Sequence, residues 1–147
     1  MSSIPKGFKA INSMWVFAIK DGDETIRYKA RLVAKGCSQK FGFDYHETFA
    51  PVAKMTTIRT ILSIAVVRRL HVHQMDVKTA FLNGKLEEEI YMRLPCDENG
   101  SSRICRLNKS IYGLKQAGRS WNQCFDDVMS KLGFCRLFSG TCISNRR

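Results

Sequence analysis

Gln74-Met-Asp-Val-Lys-Thr-Ala-Phe-Leu-Asn-Gly84 decides how this chain is read, because an apolar run ends there in a carboxylate and the backbone then turns. Upstream, Leu70-His-Val-His-Gln-Met75 is rich in strand-favouring residues. Strand periodicity puts Leu70, Val72, Gln74 and Asp76 on one face and His71, His73 and Met75 on the other. Asp76 is thereby expected at a strand end, where the backbone leaves its sheet. A carboxylate there can hold a hard divalent cation through one oxygen, and the carbonyl of Val77 can supply another, as phosphoryl-transfer sites hold Mg²⁺. Phe81, five residues on, stands just past the turn, in a position to come back over the same cleft.

Composition narrows the class. The 147 residues suit one domain or part of a larger one, and a formal net charge of +11 draws polyanions such as nucleic acid. A basic soluble surface is the plainer reading of that charge. Cysteines 37, 96, 105, 124, 135 and 142 form no CxxC pair and have no histidine at zinc-finger spacing, so reduced thiols and an intracellular chain are expected. No apolar leader follows Met1 and no run reaches membrane-spanning length, so neither a secreted nor a membrane-integral protein is expected.

Residues 1–13, with Pro5 and Gly7, read as a lead-in. Met14 to Ile19 reads as a strand, Asp21-Gly22-Asp23 as a turn, and Thr25 to Ala34 as the hairpin partner. Alternation puts Arg27, Lys29, Arg31 and Val33 on one face, a basic stripe that can neutralise phosphates or simply be solvated. Residues 36–51 read as a loop tucked onto the core by Tyr45, Phe49 and Val52. Thr56 or Thr57 caps a helix through Arg69, with Ile58, Ile61, Leu62, Ala65 and Val66 at buried-face spacing. His46, and the pair His71 and His73, have too few neighbouring ligands for a metal site. Glu87-Glu-Glu89 reads as solvated charge before a strand at Ile90 to Met92, and Arg103 to Leu107 as a further short strand. Arg106, Lys109, Lys115 and Arg119 form a basic stretch free of acids, suited to a template or primer backbone. Tyr112 and Gly113 open a turn into a helix carrying Trp121, Phe125, Val128, Met129 and Leu132 on its apolar side. Asp126 and Asp127 sit within that helical pattern and are expected to face solvent.

Together with RYKARLVAKG (27–36), DYHETFAPV (44–52), EEEIYM (87–92) and SIYGLKQAGRSW (110–121), the opening stretch resembles the reverse transcriptases of Ty1/copia-class retrotransposons. Five blocks fall in that family's order, from about Trp15 to about Cys142. The resemblance implies an α+β fold, the fingers and an incomplete palm of a right-hand polymerase, over residues 14–142, with 143–147 a non-family tail. It implies that Asp76 and the Val77 carbonyl hold catalytic Mg²⁺, and that Lys29 and Arg31 meet a nucleoside triphosphate. Tyr112 and Gly113 would floor the nucleotide pocket, and Phe81 would lie against the sugar and disfavour a 2′-hydroxyl. The partners implied are an RNA or DNA template-primer, deoxynucleoside triphosphates and the remainder of a Pol polyprotein.

Two-metal nucleotidyl transfer needs carboxylates on both cations, which that family takes from a downstream Tyr-Val-Asp-Asp hairpin. The sequence contains none, so a truncated, inactive domain is expected. A non-catalytic basic nucleic-acid-binding remnant, or an unstable fragment, are the alternatives. The family has proline where this chain has Gly118, which adds backbone freedom to the turn.

Overall fold

The structure, a computed structural model, describes residues 4–21, 25–137 and 142–146. Its largest element is the hairpin of β1 (Ile11–Asp21) and β2 (Ile26–Ala34), antiparallel in the register Trp15 to Leu32 and Ala18 to Lys29. That register places Arg27, Lys29, Arg31 and Val33 on one face, as alternation predicts, and Trp15, Phe17, Ile19 and Tyr28 on the other. The expected turn at Gly22 and Asp23 lies outside the described residues. β1 begins earlier than expected: Ile11, assigned to the lead-in, pairs with Met92 and is almost fully buried.

The first residues of β1 run parallel to β3 (Tyr91–Arg93), which pairs antiparallel with β4 (Ile104–Arg106), giving the order β2-β1-β3-β4. The core gathers where the hairpin base meets this small sheet. Ile11, Ala34, Ile90, Met92, Leu114 and Ala117 are buried together, with Phe81, Leu86 and Ile111 packed around them. The hairpin thereby reaches away from a core that lies at only one of its ends.

Two helices behave differently. α2 (Ala117–Lys131) enters the core by its first turn, where Ala117 and Ser120 are buried, and ends at Gly133 in the left-handed region (φ +82°). The apolar side expected farther along is only partly covered: Phe125, Val128 and Leu132 remain largely exposed. β5 (Phe134–Arg136) then pairs with β6 (Ser144–Arg146).

α1 (Met55–Val67) buries only Ala65, so its expected apolar face is a correction. Ile58, Ile61 and Leu62 are exposed, and Val66 is 77% exposed. Neither Thr56 nor Thr57 caps the helix, which starts after Lys54 without a side-chain cap. Its end is well formed: Arg69 N–H donates to the Val66 carbonyl and Leu70 N–H to the Ala65 carbonyl, a Schellman closure with Arg69 in the left-handed region usually given to glycine.

The strand expected from Leu70 to Asp76 does not form. Residues 70–77 have no ladder partner among the described residues, and alternation alone cannot hold a strand whose N–H and C=O groups find no neighbour. Phe49 and Val52, expected to tuck the preceding loop onto the core, are exposed as well.

Candidate functional site

The cleft is assembled from the edge strand β2 on one side and the segment from Asp76 to Leu82 on the other, with Ile111 and Tyr112 between them. It is open and encloses about 1090 Å³. The turn that brings the second wall round is strained, because Thr79, a β-branched residue, sits at φ 54° and ψ 39°. Its carbonyl accepts the Leu82 N–H at 2.9 Å and so starts a short 3₁₀ helix, Ala80–Asn83. That helix turns Phe81 back onto Tyr112, edge to face, with 4.8 Å between ring centroids. The Arg31 guanidinium lies 6.0 Å from the centroid of the same Tyr112 ring.

Charge in the cleft is lopsided. Lys20, Arg27, Lys29, Arg31 and Lys78 line it, and Asp76 is the one carboxylate among the described residues that do. Five cations facing a common concavity attract a polyphosphate far more strongly than the same charges scattered over a surface. Asp76 and Val77 offer one carboxylate and one peptide carbonyl, fewer oxygens than a hard divalent cation takes. Among the described residues no group of three or more His, Cys, Asp or Glu side chains is placed to hold a metal ion. The donors present therefore do not by themselves fit a Mg²⁺ site.

The floor is stitched to the hairpin by backbone. Ala34 N–H donates to the Tyr112 carbonyl at 2.8 Å, and the two chains approach so closely that neither side tolerates a Cβ. Gly113 has φ +91°, and a Cβ there would lie 2.1 Å from the Ala34 carbonyl oxygen; one on Gly36 would lie 2.0 Å from the oxygen of Gly113. The freedom of Gly113 is thus used to admit the chain's own strand.

Comparison with known proteins identifies the family. Residues 1–144 match the family described as reverse transcriptase (RNA-dependent DNA polymerase). The chain belongs to that family. It is 50% identical, over 98% of its length, to the retrovirus-related Pol polyprotein from transposon TNT 1-94 of Nicotiana tabacum, and spans 11% of that protein. It is 43% identical, over 95% of its length, to the Pol polyprotein from transposon RE2 of Arabidopsis thaliana, spanning 10% of it. The Ty1-H Gag-Pol polyprotein of Saccharomyces cerevisiae is 33% identical over 84% of the chain, which spans 7% of it. No solved structure matches.

For a reverse transcriptase family chain, the expected site residues divide into two groups. Asp76, Val77, Lys29, Arg31, Phe81 and Tyr112 line one cleft, with Gly113 directly behind Tyr112. The four cations expected along a template or primer backbone lie elsewhere. Arg106 faces Glu89 at 3.8 Å and Arg119 faces Glu47 at 3.1 Å, so the stretch that is free of acids in sequence is not free of them in space. Arg119 also borders a second groove, of about 550 Å³, together with Glu47, Glu87, Glu88 and Glu89. Lys115, exposed, lies over the Tyr45 ring, 4.7 Å from its centroid. Lys109 and Lys115 are both exposed with no ion pair among the described residues, and Lys109 is bridged by backbone to Lys85.

Glu89 is not the solvated charge expected of it, since it accepts the Tyr91 hydroxyl at 2.6 Å as well as facing Arg106. Asp126 is held by Arg136 at 2.7 Å, while Asp127 is exposed; neither lines the cleft. His71 and His73 border a shallow groove against Ile61 and Ile64. All six thiols are free, and burial pushes the Cys105 thiol up. Among the described residues no helix is long and apolar enough to cross a membrane.

Sequence reasoning missed Lys78, which lines the cleft, and two buried amides, Gln39 and Gln116, which do not line it but bond to each other. The lysine lies within the opening stretch and was legible. Isolated glutamines in a loop and at a helix start carry no periodic signal.

Proposed function

We propose that this chain is the fingers and first part of the palm of a copia-type reverse transcriptase, an α+β right-hand polymerase fold. In the intact Pol polyprotein it would grip a deoxynucleoside triphosphate and help seat an RNA or DNA template-primer. The observation that carries this reading is the shared cleft, where one acid, five cations and the Phe81 and Tyr112 ring pair face the same space.

The cations suit the triphosphate, with Lys29 and Arg31 placed on the strand that forms one wall. Tyr112 offers a ring at the floor. Phe81, edge to face with Tyr112 and packed against the core, also lines the cleft, where it would crowd a 2′-hydroxyl. Family chemistry uses divalent cations, which supply Lewis acidity when bound. Asp76 and the Val77 carbonyl would supply part of the shell of such a cation, the remaining acids coming from elsewhere in the polyprotein.

With one carboxylate in the cleft, the chain by itself binds without turnover. Primer extension by the purified chain in Mg²⁺ or Mn²⁺ tests this: no incorporation is expected, and robust incorporation would overturn it. A second reading, a basic nucleic-acid-binding segment with no nucleotide site, draws on the net charge of +11. Filter binding over a salt series separates the two if read beside nucleotide binding. Steep salt dependence with no deoxynucleotide affinity favours the second reading.

A further inference from the structure

The Tyr112 to Gln116 segment is held from behind by a polar latch that no cleft chemistry uses. Gln39 and Gln116 are 5% and 2% exposed, unusual for uncharged amides unless their donors and acceptors are met. They are met, by one bond between the two amides and by backbone groups of Lys115 and Asp44. Gln39 Nε2 donates to Gln116 Oε1 at 2.9 Å, Gln39 Oε1 accepts the Lys115 N–H at 2.8 Å, and Gln116 Nε2 donates to the Asp44 carbonyl at 2.7 Å. Lys115 Nζ adds a bond to the Tyr45 hydroxyl at 3.2 Å, and the Asp44 carboxylate accepts the Lys40 N–H at 2.7 Å.

An apolar pair could fill the same gap, but it would fix no orientation. Directional bonds among buried amides specify one arrangement and penalise the others. Here they fix the C-terminal end of the segment whose other end is tied by the bond from Ala34 N–H to the Tyr112 carbonyl. The ring of Tyr112, and with it the contact to Phe81, is carried between those two anchors.

We infer that Gln39 and Gln116 are positioning residues for the nucleotide cleft: acting through the Lys115 N–H and the Tyr112–Gly113 turn, they set where the Tyr112 ring meets a deoxynucleoside. The inference rests on the proposed function. It concerns the nucleoside half of the ligand, because the triphosphate would be met by cations of β2, to none of which either glutamine is hydrogen-bonded.

Equilibrium dialysis with dATP, ATP and inorganic tripolyphosphate, in Mg²⁺, tests it on the full chain and on a Gln39→Met/Gln116→Met double variant, which keeps volume and removes direction. A Gln39→Glu variant, which keeps the acceptor for the Lys115 N–H and loses the donor to Gln116, serves if the double variant does not melt cooperatively. Expected is a loss of about tenfold in dATP affinity, the order that a small misplacement of a binding group brings, and a narrowed preference for dATP over ATP, with tripolyphosphate binding unchanged. A merely structural role would weaken all three ligands together. That outcome, or unchanged dATP binding in a folded variant, overturns the inference and leaves the proposed function standing. Absence of dATP binding by the unaltered chain overturns both.

Discussion

The two walls of the cleft are held in opposite ways. β2 is paired along its length with β1 and, at its Ala34 end, is locked to the Tyr112–Gly113 turn and joined to the buried core. The facing wall, which carries Asp76, follows an unpaired stretch and a helix that buries a single alanine. The difference teaches that the cations and the aromatic floor are organised by this chain's own packing, whereas the carboxylate is placed by a turn and little else. A site built this way holds its β2 cations firmly and its acid loosely.

The contrast is most easily broken at its tightest point. Gly113→Ala forces a Cβ to within 2.1 Å of a backbone oxygen at φ +91°, so neither the turn nor the strand end can stay in place. A loss of about 4 kcal/mol or more is expected, read as the shift in a urea transition. A loss under about 1 kcal/mol would mean that the two chains are not in contact.

Core truncation comes next. Ile90, 1% exposed, should cost about 3 kcal/mol as Ile90→Ala, by cavity and transfer terms together. Ile61, 46% exposed on α1, should cost no more than about 1 kcal/mol as Ile61→Ala, mostly its partial burial. Equal losses at the two sites would show α1 to be packed as tightly as the sheet, and the two walls would no longer differ.

A gain is expected on the loose wall. Thr79 and Arg69 hold left-handed backbone that disfavours any residue with a Cβ, by about 1–2 kcal/mol. Thr79→Gly therefore removes strain but loosens the unfolded chain, leaving a net stabilisation of about 0.5–1 kcal/mol in thermal unfolding. Destabilisation instead would place Thr79 in right-handed backbone and undo the turn that brings Phe81 onto Tyr112.

What the sequence made legible follows the same division. Alternation in Thr25 to Ala34 fixed which cations share a face, because both strands of a hairpin are local and need no distant partner. The five-block resemblance implies a single site for Asp76, Phe81, Arg31 and Tyr112, and all four line one cleft. Leu70 to Met75 misled for a physical reason: alternation says how a strand would be sided, not whether a neighbour exists to pair with it. The same holds for α1, whose apolar spacing is real although little covers it. Arg106 and Arg119 were misread because their acids, Glu89 and Glu47, are distant in sequence, and Gln39 with Gln116 because a hydrogen-bonded pair across a loop leaves no pattern to read.

The smallest expected effect concerns the firm side alone. The Tyr91 hydroxyl donates to Glu89 at 2.6 Å, and that bond, with burial and the nearby carboxylate charge, holds the phenol above its ordinary value of 10.0 against the opposing pull of Arg106. A proton held more tightly in the folded chain than in the unfolded one stabilises fully below the unfolded value and ceases to do so as pH rises through the raised folded value. The stability gap between the unaltered chain and Tyr91→Phe should therefore be constant near pH 8 and shrink above about pH 10, measured as denaturant midpoints from about pH 8 to about pH 11. Chains that lose stability in parallel across that range would mean that the hydroxyl and Glu89 are not bonded. Glu89 would then be held by its ion pair with Arg106 alone.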